Sequence, residues 1–302
     1  MARNLSRLPP GRKRRAPALA ARTGNRLVWP AVPRYVRSKL EAVHVTSENH
    51  PSDIPRTVLI TGAAKRIGRA LAEDFGARGW SVAIHYNGSA GEAEEVAAQV
   101  RRSGGLAATL QADLADHAAV DALMPAAVRA LGPVGCLINN ASVFERDEAA
   151  TATLESWERH QAVNLRAPLF LTQAFAKQLP AAASGAIINI IDQRIWRLTP
   201  HFMSYTVSKT GLWTLTQTCA MALAPRIRVN AIGPGPTLPN PYQSQAEFDS
   251  QRARMPLGRG TTPAEICTAV RFILEAPGMT GQMIALDGGQ HLGCKQDAGE
   301  IE

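Results

Sequence analysis

The chain has 302 residues, 45% hydrophobic and 5% aromatic, enough for one large α/β domain with a sizeable core. Its net charge of +8 is uneven: residues 1–56 hold 12 Lys+Arg against 3 Asp+Glu, and the remainder holds 21 against 22. A nearly neutral body excludes the electrostatic footprint of a nucleic-acid binder, and no apolar run is long enough to suggest a membrane span.

The basic stretch 1–55 lacks the apolar centre of a secretory signal and has no acid before Glu41. It reads as a disordered extension, a transit peptide or an upstream start. Cys136, Cys219, Cys267 and Cys294 have no zinc-type or C-x-x-C spacing, so reduced thiols and a cytoplasmic setting are expected. No metal site is expected.

From Arg56 to about residue 292, short apolar strands alternate with helical segments. "TVLITG" (57–62), "SVAIHY" (81–86), "LAATLQADL" (106–114) and "GCLINNAS" (135–142) are strands with helices between them. "GAIINIID" (185–192), "IRVNAIGPG" (227–235) and "QMIALDGG" (282–289) continue the series. Helices are expected at about 153–179, 204–224 and 262–274, and 293–302 forms a C-terminal tail. The alternation predicts a parallel sheet covered on both faces, with ligands beyond the carboxyl ends of its strands.

"TGAAKRIG" (61–68) joins the first strand to its helix. Gly62 permits the tight turn, Gly68 lets helix and ligand approach, and the helix N-terminus suits a pyrophosphate. The second strand ends with His85, Tyr86, Asn87 and Ser89 rather than the acid that would bind a ribose 2′-hydroxyl. Lys65 and Arg66 face them. A missing acid plus added cations predicts a 2′-phosphate, hence NADPH. Asp113 is placed either to bond an adenine amino group or to cap its own turn. Asn139 and Asn140 either border the cofactor or satisfy buried backbone.

Tyr205 and Lys209 are four residues apart and share one helix face. An adjacent ammonium is expected to lower the phenol pKa from about 10, making the pair a proton donor. Asp192 stands at the preceding strand's exit, to act on Tyr205 or to cap the loop "QRIW". The proline-rich, then polar, 233–259 segment is expected to form a lid, with Pro236, Leu238 and Pro239 towards the substrate. Trp196 is placed to border the pocket or a subunit interface.

"TGAAKRIG", "NNAS", "VNLRAP", "SYTVSK", "RVNAIGPGP" and "ALDGG", in that order, resemble the short-chain dehydrogenase/reductase family over about 56–292. The resemblance implies a Rossmann-type, doubly wound fold, a nicotinamide cofactor and a homotetramer. It implies Tyr205 as proton donor, Lys209 on the nicotinamide ribose, and Asn164 in a proton relay. It also lays Ile67, Leu114, Asn140, Ala141, Ser142, Pro234 and Gly235 along the cofactor. Two departures, Arg66 for a loop glycine and Asp192 for the usual serine, resemble the pteridine reductase branch. That branch implies NADPH-dependent reduction of a pterin stacked on Phe144 and held by Ser142, Arg66, Asp192 and Tyr205, with Leu238 of the lid segment beside it. The alternatives are a ketone reductase acting on a 3-oxoacyl thioester or sugar, and a non-catalytic NADP-binding sensor or scaffold.

Overall fold

A computed structural model describes residues 54–240 and 242–293, together with the backbone of two short upstream strands. The chain divides into two units, 1–48 and 49–302. In the first, β1 (Ala21–Thr23) pairs antiparallel with β2 (Arg26–Val28). The expectations for the rest of the basic extension, for the tail after Gly293 and for Cys294 lie outside the described residues.

The second unit holds seven strands: β3 (Thr57–Ile60), β4 (Ser81–Tyr86), β5 (Ala107–Gln111), β6 (Cys136–Asn139), β7 (Gly185–Ile190), β8 (Ile227–Pro234) and β9 (Met283–Leu286). They pair in parallel in the order β5-β4-β3-β6-β7-β8-β9. Side chains alternate along each strand, and both faces are apolar. Val58, Ile60, Cys136, Ile138 and Ile188 pack on one side, against α1 (Arg66–Ala77), α2 (Ala90–Arg102) and α8 (Pro263–Glu275). Leu59, Leu137 and Ile187 pack on the other, with α3 (His117–Leu131) and α5 (Ala167–Gln178), and with Ala220 of α6 (Met203–Leu223). Burying each such side chain contributes roughly 1.5–3 kcal/mol. The expected doubly wound, Rossmann-type sheet is therefore present, as a direct result of two apolar faces on each strand.

The helix expected over 153–179 is divided. α4 (Leu154–Gln161) passes into a π turn, Ala162–Arg166, before α5 begins. The wider turn carries Asn164, which is fully buried. After β8, the polar segment forms α7 (Gln245–Ala253), started by a reciprocal capping box between Ser244 and Glu247.

The chain builds outward from β3 to β5, then crosses back to begin again at β6. The helices that follow β3 and β6 consequently pack on opposite faces of the sheet, and the crevice lies at the strands' carboxyl ends.

Candidate active site

A cleft of about 590 Å³ occupies that crevice and runs from the β3–α1 turn to the loops after β7 and β8. Gly62 takes φ +62° in the β3–α1 turn. Its N–H donates to His85 Nδ1 at 3.0 Å, and His85 Nε2 donates to the Ala112 carbonyl at 3.1 Å. Burial pushes the His85 pKa down to about 4, so the ring is neutral and braces the turn. Asn140 Nδ2 donates to the Thr61 and Gly62 carbonyls at 2.8 and 3.0 Å, tying the loops after β3 and β6 together. A Cβ on Gly68 would lie 2.2 Å from Gly62 O. Lys65, the N-cap of α1, makes no side-chain capping bond. Bare backbone and uncapped helical N–H groups thus face the cleft, the cradle a pyrophosphate requires.

The other expected cofactor residues are distributed less simply. Lys65, Ile67, Asn87, Asp113, Leu114, Ala141, Ser142, Pro234 and Gly235 line the cleft. Tyr86 and Ser89 do not. Strand alternation turns Tyr86 into the core with α1 and α2, and Ser89 stands as the N-cap of α2. His85 lines the cleft, but both its ring nitrogens are engaged within the protein, which makes it a support for the turn. One Asp113 oxygen accepts from Ala115 N–H at 2.9 Å, so the residue caps its turn while remaining exposed in the cleft.

The two cations part company. Lys65 Nζ pairs with Glu92 at 2.8 Å, in the first turn of α2 and beside the end of β4. Arg66, at φ +55°, instead crosses the cleft, donating to the Pro239 and Leu238 carbonyls at 2.7 and 3.2 Å. The expectation that both cations face the end of β4 is corrected for Arg66.

At the chemical end, β7 delivers Asp192 and α6 delivers Tyr205 and Lys209. The Tyr205 hydroxyl donates to Asp192 Oδ2 at 3.0 Å, and Asp192 Oδ1 accepts from Arg194 N–H at 2.7 Å. Asp192 therefore both caps the short 3₁₀ turn Gln193–Ile195 and holds the phenol. Lys209 Nζ donates to the Ile190 carbonyl at 2.8 Å and lies 5.7 Å from the Tyr205 ring centre. Burial raises the Asp192 pKa. Burial, with the adjacent carboxylate, raises that of Tyr205 well above 10. Burial lowers Lys209 to about 8. The direction is opposite to the lowering expected from Lys209: burial first, and then the Asp192 carboxylate at 3.0 Å, raises the phenol pKa. This arrangement keeps a proton on the phenol and a second proton-binding group beside it.

Asn164 Oδ1 accepts from Val143 N–H and Ser142 Oγ, while Nδ2 donates to Val143 O and Ser208 Oγ. Its side chain anchors the loop after β6 rather than presenting a free group to a relay. That loop carries Phe144, stacked on Phe202 with centroids 4.3 Å apart and edge-on to Tyr205 at 4.8 Å. Phe144, Pro236 and Leu238 line the cleft, whereas Pro239 and Trp196 do not; Trp196 lies against His291. The cleft also includes Arg159, Gln193, Arg194 and Gln290, which the sequence reading missed. For Gln193 and Arg194, adjacency to Asp192 was the available signal. Arg159 and Gln290 reach the cleft through folding alone.

A family model described as "Enoyl-(Acyl carrier protein) reductase" matches residues 62–291. A solved structure of FolM alternative dihydrofolate reductase 1 from Brucella canis, complexed with NADP, is 46% identical. The match covers 83% of this chain and 99% of that one, with a TM-score of 0.78. 3beta-Hydroxysteroid dehydrogenase 1 of Eggerthella lenta is 33% identical over 78% of this chain and 94% of its own length. A 3-oxoacyl-[acyl-carrier-protein] reductase of Synechocystis is 30% identical over 78% and 96%. With the ordered motifs, the sheet and the Tyr205–Lys209 pair, these matches establish that the chain belongs to the short-chain dehydrogenase/reductase family.

Proposed function

We propose that the chain reduces a dihydropterin to a tetrahydropterin with NADPH. The observation that carries this reading is the 3.0 Å bond from Tyr205 to Asp192, a carboxylate at the position where the family's general pattern has serine. The likeness to alternative dihydrofolate reductases supports it.

The cofactor is NADPH, and the bare Gly62–Gly68 cradle fits its pyrophosphate. Lys65, Asn87 and the α2 N-terminus are the groups we assign to the 2′-phosphate, Asp113 to the adenine, and Lys209 to the nicotinamide ribose. Bound there, NADPH supplies a hydride to the carbon of the pterin C=N bond. Tyr205 gives its phenolic proton to the ring nitrogen. The phenolate left behind is then reprotonated from solvent by way of Asp192, so one hydride and one proton are consumed. The raised pKa of Asp192 keeps a proton available nearer neutrality than an ordinary aspartate would. Phe144 provides an aromatic wall, and Ser142, Arg66 and Leu238 border the substrate.

The test is NADPH oxidation, followed by absorbance, against dihydromonapterin, dihydrobiopterin, dihydrofolate and an acetoacetyl thioester. Turnover of a dihydropterin is expected; a thioester reduced much faster than every pterin would establish the ketone reading that the 3-oxoacyl relative favours.

We also propose a homotetramer that uses the exposed side of α6, where Met203, Val207 and Met221 face outward. The proposed compartment is the cytoplasm, in keeping with the free thiols of Cys136, Cys219 and Cys267.

A further inference from the structure

The helix that carries Tyr205 starts at a strained residue. Phe202, the N-cap of α6, stands at φ +60° and ψ +49°, the left-handed region that bulky side chains rarely occupy. A helix start favours Ser, Thr, Asp or Asn there, whose oxygen accepts from the first turn. Phenylalanine has no such oxygen, and Phe202 makes no side-chain capping bond. Asp147, on the loop after β6, takes that part instead. Its Oδ1 accepts from Ser204 N–H at 3.0 Å, and its carbonyl accepts from Phe202 N–H at 2.8 Å. Thr206 N–H and Oγ1 donate to the Phe202 carbonyl at 2.9 and 2.7 Å. All these bonds use the Phe202 backbone or other residues. The helix start therefore gives no reason for an aromatic ring at a position that Gly or Asn fits with less strain.

The ring has contacts of its own. It lies 8° from parallel with Phe144, centroids 4.3 Å apart, and the Arg194 guanidinium carbon is 5.2 Å from its centre. Phe144 lines the cleft and stands edge-on to Tyr205 at 4.8 Å, whereas Phe202 is not among the lining residues. One face of Phe144 is thus backed by Phe202 from outside the cleft. Backbone strain persists where the surroundings hold it, and it concentrates at functional sites.

We propose that Phe202 is a positioning residue for the substrate: its ring fixes the tilt of Phe144, the wall on which a flat pterin stacks. Alone, a phenyl ring on a loop turns about its side-chain bonds, and a parallel partner removes that freedom. The substrate then meets a wall already set for stacking, and less ordering is needed at binding. Asp147 and Ser204 join the two backbones, and Phe202 fixes the ring between them. The inference rests on the pterin reading above and adds to it a residue that acts without touching the substrate.

The experiment begins with Phe202→Asn, which removes the ring, suits the left-handed backbone and leaves the backbone bonds in place. KM for the dihydropterin should rise roughly 3- to 10-fold with kcat within about threefold, the scale of one aromatic pair lost from binding. Tm should stay near that of the wild type, because relieved strain offsets the lost ring contacts, and the NADPH Kd should be unchanged. Phe202→Leu keeps the bulk and the strain; it carries the same kinetic expectation and answers the question if Phe202→Asn folds poorly. Phe202→Tyr keeps the ring and should hold KM within about twofold of the wild type. An unchanged KM in Phe202→Asn and Phe202→Leu, beside a wild type that does reduce dihydropterins, overturns this inference and leaves the reductase reading standing. Loss of kcat, NADPH binding and Tm together in all three variants assigns Phe202 to the helix start alone and also overturns it. Failure of the wild type to reduce any dihydropterin overturns both readings.

Discussion

Tyr205 is held in its protonated form by its neighbour as well as by burial. Tyr205→Phe is expected to lower kcat roughly 10²- to 10⁴-fold, the range for a positioned general acid, with NADPH binding retained; fluorescence titration and steady-state rates check both. Asp192→Asn removes the charge that raises the phenol pKa, so the alkaline limb of the kcat profile should move to lower pH while kcat falls. An unmoved limb would show that the carboxylate does not govern Tyr205. His85 makes a different prediction. Its folded pKa of about 4 lies below the unfolded value of about 6.5, so the unfolded chain binds the proton first. Its contribution is complete above pH 6.5 and declines as pH falls towards 4, by about 2 kcal/mol at pH 5. Calorimetric Tm should drop over that window, and the slope should flatten in His85→Gln, which can still accept from Gly62 and donate to Ala112.

At the scale of the element, the β3–α1 turn and the β8–α7 segment face each other across the cleft and are joined by Arg66. A side chain at φ +55° costs roughly 1–2 kcal/mol relative to ordinary helical backbone. The return is a guanidinium aimed at the carbonyls of Leu238 and Pro239. Arg66→Gly should therefore leave Tm nearly unchanged, because relieved strain offsets two lost bonds. It should raise KM for substrate by releasing the 236–240 segment, a combination that kinetics and calorimetry can separate. Gly68→Ala is the contrasting case. Its Cβ would meet Gly62 O at 2.2 Å, so the turn must open, and NADPH affinity should fall at least tenfold. The π turn at Ala162–Arg166 belongs to the same level of organisation. It carries Asn164 into the protein, where its four bonds shape the loop bearing Ser142 and Phe144.

For the whole molecule, every group assigned to binding or chemistry lies within 62–291, inside the second unit. Deletion of residues 1–50 should leave kcat/KM within about twofold, measured beside the full chain; a large loss would assign the basic extension a part in the reaction. Light scattering should report four copies if the outward side of α6 is the assembly surface.

The sequence by itself determined the alternation of strands and helices, the glycine turn, and the Asp192–Tyr205–Lys209 spacing. These depend on local periodicity and on residues whose separations a helix or strand turns directly into proximity. It also carried the two departures, Arg66 and Asp192, on which the pterin proposal rests. The tertiary structure alone decided where the long side chains reach and what their surroundings do to them. The φ of Arg66 sends its guanidinium towards β8 rather than β4. The alternation of β4 engages both nitrogens of His85 and turns Tyr86 to the other face, against the core beneath α1 and α2. Asp192, brought to 3.0 Å from a phenol in a buried wall, raises a pKa that the Tyr–Lys spacing predicts to fall. Local spacing specifies which groups can meet; desolvation and the direction of each hydrogen bond, which emerge only when the loops after β3, β6, β7 and β8 close on one cleft, specify what those groups become.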